Sequence, residues 1–226
     1  MHRWLWDLHY PDPVSTQHGY PIAAIPGDTP REPQGPHALP GKYTARLTVD
    51  GHSYTQPFVV EMDPRVKTPA AGLAQLFQVE TRLGALLTRT SQTVMEARSM
   101  RTQVQGLQAK ATGSSAEALK SFDQKIAAVL QSSGPAANAQ VPTLTRVNGA
   151  ASTLYADATR ADAAPTKALL DATATAEQDA ATLSKAFGTI KTADLPALNQ
   201  LLRGANLPEV RETTDSQAGD DDSDVE

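Results

Sequence analysis

The sequence contains no cysteine, which excludes disulfide bonds, thiolate chemistry and zinc sites built from thiolates. Aromatic residues make up only 5% of the chain although hydrophobic residues make up 40%, so much of the apolar share is alanine. Alanine favours helix and buries little area per residue. We therefore expect a thin, helical core rather than a thick, aromatic one.

Long hydrophobic runs and basic patches are also missing. No apolar run approaches the ~20 residues that a membrane-spanning helix needs, and the first residues lack the apolar segment of a signal peptide. The net charge is −5, and residues 209–226 hold eight acids and one base, so the rest of the chain carries +2. These features predict no membrane span, no nucleic-acid partner and a disordered acidic tail over 209–226.

The first 62 residues show the two-residue alternation of β-strands. Trp4, Trp6 and Leu8 alternate with other residues, which predicts a strand with both tryptophans in the core. Residues 43–49 and 52–62 alternate in the same way around Asp50-Gly51, a sequence typical of a type I′ hairpin turn. Pro57 predicts an edge or a bulge on the return strand.

Three strands are too few for a closed sandwich of about seven. Two explanations stay open: the helices cover the open apolar face, or further strands precede the chain. A tryptophan-rich strand immediately after Met1 favours the second explanation.

The rest of the chain predicts helices. Residues 63–69 form a linker bracketed by prolines, and apolar residues then recur at spacings of three, four and seven. On the first helix this stripe consists of Leu73, Leu76, Leu83, Leu87, Thr90, Val94, Ala97, Met100, Val104 and Leu107. The stripe suits the inside of an intramolecular bundle over 70–208 or the seam of a coiled-coil dimer, and three further amphipathic helices favour the bundle. Asp194 is predicted to cap a last short helix.

Several stretches resemble a known family. Those in the β part are Trp6-Asp7-Leu8-His9-Tyr10-Pro11, residues 39–51, and Gln56-Pro57-Phe58 continuing to Met62-Asp63-Pro64-Arg65; those in the helical part are 142–149, 161–166 and 194–199. Together they resemble the C-terminal region of bacterial sortilin-like proteins with BNR-repeat β-propellers, which are often labelled glycosyl hydrolases. The strand pattern also resembles the Ig-like domain of flagellar hook-capping proteins. The resemblance implies a periplasmic or secreted module of a longer protein whose propeller is a partner, and it assigns no site residue here.

Candidate chemistry is sparse. The five histidines, His2, His9, His18, His37 and His52, lack ligand spacing, so we expect them to be scattered in loops. Asp7, Asp12 and Asp28 form no motif that would set the carboxylate pair of a glycosidase, and we expect Asp7 to hold a turn. Residues 220–224 lack the EF-hand pattern of a calcium site.

The sequence thus predicts an α+β, mainly α fold: a partial Ig-like β-sandwich piece over 1–62, a linker over 63–69, an antiparallel helical bundle over 70–208 and the acidic tail over 209–226. The expected function is that of a non-catalytic accessory or protein-interaction module, with no catalytic, cofactor-binding or metal-binding residue predicted. A glycosyl hydrolase and a helical oligomerisation scaffold are the alternatives.

Overall fold

The computed structural model describes residues 4–20, 23–25, 29–131 and 141–213. The chain is mainly helical with a small antiparallel sheet, as predicted. The elements are β1 (Gly41–Val49), β2 (His52–Val60), α1 (Ala70–Gln108), α2 (Gly113–Leu130), α3 (Leu144–Ala158), α4 (Lys167–Thr189), a π-helical turn (Ile190–Asp194) and α5 (Leu195–Gly204).

The helices form three columns around one core. α1 has 39 residues and is the longest column, about 58 Å at 1.5 Å per residue. α2 and α3 run back along it, since Asn148 of α3 contacts Ser91 of α1 whereas the later Tyr155 contacts the earlier Gly84. α4 and α5 form the third column, which runs parallel to α1 because its cross-links keep a sequence separation of 95.

The core contains the predicted stripe of α1. All ten residues of that stripe are buried, and α1 contacts α2, α3 and α4 of the same chain. The other columns add Leu119, Phe122 and Ile126 from α2, Leu144 and Tyr155 from α3, and Phe187 and Leu202 from α4 and α5. The stripe of α1 is therefore the inside of an intramolecular bundle.

The third column continues as a helix through Asp194, where the sequence predicted the capped start of a separate short helix. Asp194 lies in helical backbone, makes no cap and pairs with Lys125 of α2 at 2.5 Å. α4 instead passes through the π-helical turn into α5, which has Pro196 in its first turn. Proline has no N–H and disrupts the helical ladder behind it, and a π turn is one way to absorb that defect without ending the helix.

The predicted N-terminal strand is not formed. Residues 4–7 have no regular secondary structure, and Leu8 has a φ of 66°, which a strand does not allow. Trp4 is 80% exposed, so its placement in the core is wrong, while Trp6 is half-buried. A two-residue alternation indicates a strand only when a neighbouring strand is available, and here only an isolated bridge between His9 and His37 follows.

The irregular, proline-rich part of the chain that follows packs on the bundle. We call the described residues of 9–40 the N-terminal segment. The backbone N–H of Val14 donates to Oγ1 of Thr88 on α1, and Thr16 donates to Asn148 on α3. Tyr155 donates its hydroxyl proton to the carbonyl oxygen of Gln34 at 2.7 Å. These bonds hold the irregular segment against α1 and α3.

The chain after α5 folds back onto α1. Val210 is buried, and the N–H of Arg211 donates to Oε1 of Gln103 at 2.9 Å. Asn199 exchanges two hydrogen bonds with the backbone of Val210. The predicted disordered tail is therefore wrong for residues 209–213, where one apolar residue finds a core position. The prediction for 214–226 lies outside the described residues.

Candidate interaction surface

The hairpin is built on a two-residue turn. Asp50 and Gly51 have φ values of 49° and 80°, the left-handed conformation at both central positions that a type I′ turn requires. Val49 lies opposite His52, and the register continues without a bulge to Gly41 opposite Val60. The turn predicted from the sequence is confirmed, and it sets which side chains share a face.

One face of the hairpin is apolar and the other is polar. The apolar face, as we call it below, consists of Tyr43, Ala45, Leu47 and Val49 with Phe58, Gln56, Tyr54 and His52 opposite them. The polar face consists of Lys42, Thr44, Arg46 and Thr48 with Val59, Pro57, Thr55 and Ser53 opposite them. The division follows because successive side chains of a strand point to opposite sides.

The apolar face is covered only at its base. The indole ring of Trp6 meets the rings of Tyr43 and Phe58 edge-on, with centroids 5.4 and 6.0 Å apart. Toward the turn, Leu47 and Tyr54 are each 62% exposed. No helix of the described part of the chain contacts either strand. The bundle therefore does not cover this sheet, which was one of the two explanations left open for its apolar residues.

Three of the four described histidines lie together. His9, His18 and His37 line a cavity of about 640 Å³ between the N-terminal segment and α3. The rings of His9 and His37 are 4.0 Å apart, and burial, followed by the charge of His9, lowers the pKa of His37. His52 is exposed beside the hairpin turn, and His2 lies outside the described residues. The sequence spacing of 9, 18 and 37 gave no sign of this grouping, which depends on the fold of the loops.

Asp7 and Asp12, two of the three candidate acid–base aspartates, have structural partners. Asp7 accepts a hydrogen bond from the backbone N–H of His9, so it holds a turn as predicted. Asp12 accepts from the N–H of Gly35 at 2.7 Å, and Asp28 lies outside the described residues. Four cavities in the described part of the chain are each lined by one carboxylate: Asp179, Glu32, Asp12 and Asp157.

A carboxyl group that the sequence did not single out is buried on α1. Glu80 is 4% exposed. Burial, with a smaller contribution from the charge of Asp162, raises the pKa of Glu80 to about 7. The same carboxyl group is a neighbour of Tyr155, whose pKa is also raised, chiefly by burial. The sequence does carry a signal for this group. Glu80 lies four residues after Leu76 and three before Leu83, a helical spacing that places it on the buried stripe.

Asn148 is a second polar residue that the sequence did not single out. Its side-chain amide donates to Thr90 and Ser91 of α1 at 3.0 and 2.8 Å, and its oxygen accepts from Thr16. One amide thus joins α3, α1 and the N-terminal segment. This cluster is fully hydrogen-bonded, as buried polar groups generally are, and it has a structural rather than a chemical role.

The described residues form neither a metal-binding cluster nor a membrane-spanning helix. Within residues 4–20, 23–25, 29–131 and 141–213, no group of three or more histidine, aspartate or glutamate side chains is arranged to hold a metal ion. None of the helices described is both long and apolar enough to cross a bilayer. The apolar face of the hairpin is a surface on which large hydrophobic side chains lie side by side and uncovered toward the turn. Comparisons of the chain with protein-family models, curated proteins and solved structures found no match.

Proposed function

We propose that this protein is an accessory or protein-interaction module, in which the hairpin docks on β structure of a partner and the bundle supports the hairpin as a rigid spacer. The observation that carries the proposal is the uncovered apolar face, where Leu47 and Tyr54 leave most of their surface in solvent. Exposed apolar patches of contiguous side chains are characteristic of interaction sites.

A hairpin of this size normally needs a cover for its apolar side. An isolated two-stranded hairpin is only marginally stable in water and normally needs further strands or a helix against its apolar side. The residues that face solvent here are also those that strands normally bury, namely valine, leucine and aromatic residues. A partner that covers this face would stabilise the hairpin and bind the module at the same time.

The architecture of the docked state is also part of the proposal. We propose that the hairpin belongs to an Ig-like sandwich completed by strands from the partner, in a sortilin-like protein with a BNR-repeat β-propeller. The similar stretches at 6–11 and 39–51 coincide with the residues that build the base of the hairpin, which supports this assignment. On this basis the module works in the periplasm or outside the cell, as part of a longer protein.

The two alternative functions have less support. A glycosyl hydrolase needs two carboxylates about 5–10 Å apart across a cleft, and each of the four cavities has one carboxylate in its lining. A scaffold that oligomerises through α1 needs a free stripe on that helix, and the stripe is covered by α2, α3 and α4.

Site-specific photo-crosslinking in the native organism tests the docking function. A photoreactive amino acid replaces Leu47 or Tyr54 in one set of proteins and Lys120, an exposed residue of α2, in the control. We expect a single adduct from the hairpin positions and none from position 120. The adduct should carry a β-sheet protein or β domain, identified by mass spectrometry.

Two results would contradict the proposal. Crosslinks that form from position 120 but not from the hairpin would place the contact on the bundle. An adduct between two copies of this chain through the hairpin would assign the surface to self-association instead, and light scattering of the purified protein would then show a dimer.

A further inference from the structure

We propose that the docking partner adds a strand to the outer edge of β1, and that this strand alternates apolar and acidic residues. The inference rests on the proposed docking function and specifies which edge is used and what chemistry it recognises. Three features of the hairpin support it: the register, the position of one proline and the placement of two basic side chains.

The backbone of β1 presents an open row of hydrogen-bonding groups. In a hairpin with a two-residue turn, Val49 and His52 form the pair that exchanges both backbone hydrogen bonds. The pattern alternates along the strand, so the N–H and C=O groups of Lys42, Thr44, Arg46 and Thr48 are directed away from β2. None of these four residues makes a backbone hydrogen bond to another described segment.

The outer edge of β2 is interrupted at its centre. Pro57 lies opposite Thr44, at a position whose N–H would be directed outward. Proline has no N–H, so it removes a donor from that edge while the bonds between β1 and β2 stay intact. Proline on an edge strand is one of the devices that prevent pairing with another chain. The hairpin therefore has one blocked edge and one open edge.

Charge selects the partner of the open edge. Lys42 and Arg46 lie two positions apart along the polar face and are both exposed, and neither makes an ion pair in the described structure. Opposite charges on neighbouring strands stabilise a sheet, and like charges directly opposite each other destabilise it. A strand with glutamate or aspartate on this side would place its carboxylates beside the two cations.

The same charges disfavour a second copy of β1 as the partner. In an antiparallel pair of two β1 strands centred on Thr44, Lys42 of each copy would lie opposite Arg46 of the other. On the opposite side of the incoming strand, apolar residues would lie beside Tyr43 and Leu47 and extend the apolar face. The structure therefore fits a foreign strand with apolar residues on one side and acids on the other.

A synthetic peptide of alternating valine and glutamate, equal in length to β1, is the probe. Binding is measured by chemical-shift changes of the β1 amides and by titration. The test variant is Thr44→Pro, which removes an outward N–H from β1, and the matched control is Thr55→Pro, which does the same on β2. Amide signals of Leu47 and Tyr54, whose N–H groups point into the hairpin, report that both variants keep the hairpin.

We expect Thr44→Pro to weaken binding by about tenfold or more, on the scale of lost interstrand hydrogen bonds, and Thr55→Pro to leave it unchanged. Reversing the charges with Lys42→Glu and Arg46→Glu should transfer the preference to a peptide of alternating valine and lysine. Equal effects of the two proline variants, or no binding of the valine–glutamate peptide to the wild-type protein, would overturn the edge inference. If Leu47→Lys still abolishes the crosslink formed by a photoreactive residue at position 54, docking through the apolar face stands although the edge inference fails.

Discussion

Leucines on α1 and on β1 have opposite environments in this protein. Leu83 and Leu87 are fully buried, whereas Leu47 leaves 62% of its surface in solvent. The helices obtain partners within their own chain, because short connections return each column along α1. The hairpin contacts no helix among the described residues, so its apolar face is left uncovered beyond the base that Trp6 covers. The comparison shows that the same kind of apolar side chain is buried where helices of one chain meet and exposed where no helix of the described residues meets the sheet.

The largest expected effect is the difference in stability between the same leucine substitution in the bundle and in the hairpin. Leu87→Ala leaves a cavity in the core and should lower the free energy of unfolding by about 2–5 kcal/mol. Leu47→Ala, which removes the same atoms from the exposed face, should change it by less than about 0.5 kcal/mol. Urea denaturation followed by circular dichroism measures both. Similar losses in the two variants would mean that the hairpin face is covered in solution.

Asn148→Ala tests how firmly the N-terminal segment is tied to the bundle. The substitution leaves Thr90 and Ser91 without their buried donor and removes the acceptor of Thr16. We expect a loss of about 1–3 kcal/mol in the free energy of unfolding, since unpaired buried polar groups are costly. Hydrogen exchange should become faster around residues 14–16 and stay unchanged in the hairpin. Faster exchange in the hairpin as well would show that the two regions are coupled.

The buried carboxyl group of Glu80 should make the stability of the bundle depend on pH. Because the pKa of Glu80 in the folded protein is about 7, above the ordinary 4.5, the folded state holds the proton more tightly than the unfolded state. The stability that comes from this tighter proton binding is therefore fully present below about pH 4.5. It is lost as the pH rises through 7, and it stays lost at higher pH. Glu80→Gln removes this loss, so the variant should be more stable than the wild type by about 3 kcal/mol at pH 8.

At pH 4 the stability of Glu80→Gln should be close to that of the wild type, because Glu80 is then protonated. The matched control is Glu117→Gln, which changes an exposed glutamate of α2 and should shift stability little at either pH. Denaturation midpoints at the two pH values provide the measurement. A Glu80→Gln variant with the same difference from the wild type at pH 4 and pH 8 would show that the glutamate does not titrate in this range.

The smallest effect on overall stability should come from the hairpin turn. Gly51 has a φ of 80°, and a side chain at this position costs about 1 kcal/mol in the left-handed conformation. Gly51→Ala should therefore destabilise the hairpin, seen as faster exchange of the Leu47 and Tyr54 amides, and leave the melting of the helices unchanged. A fall in the helical melting temperature would instead make the hairpin part of the same cooperative unit.

Much of the fold could be predicted because its signals are local. The Asp50-Gly51 pair specifies the turn, and the spacing of apolar residues on α1 predicts all ten buried positions of the stripe. Each of these features depends on residues within a few positions of one another.

The errors occurred where the outcome depends on distant residues. Trp4 and Trp6 have strand periodicity, but a strand forms only beside a partner, and none is present in the described residues. Asp194 has the identity of a helix cap, yet Lys125 of another column holds its carboxylate and the helix continues. Residues 209–213 are mostly polar, yet the burial of Val210 and hydrogen bonds to Asn199 and Gln103 hold them on the bundle.

The sequence by itself determined the helical columns, the hairpin register and the two faces of the hairpin, because turn chemistry and periodicity act between near neighbours. Only the tertiary structure decided which faces are covered. It buried the stripe of α1 within one chain, gathered three histidines and buried Glu80. It also left the apolar face of the hairpin uncovered, since burial depends on which elements meet and not on the pattern of any one of them.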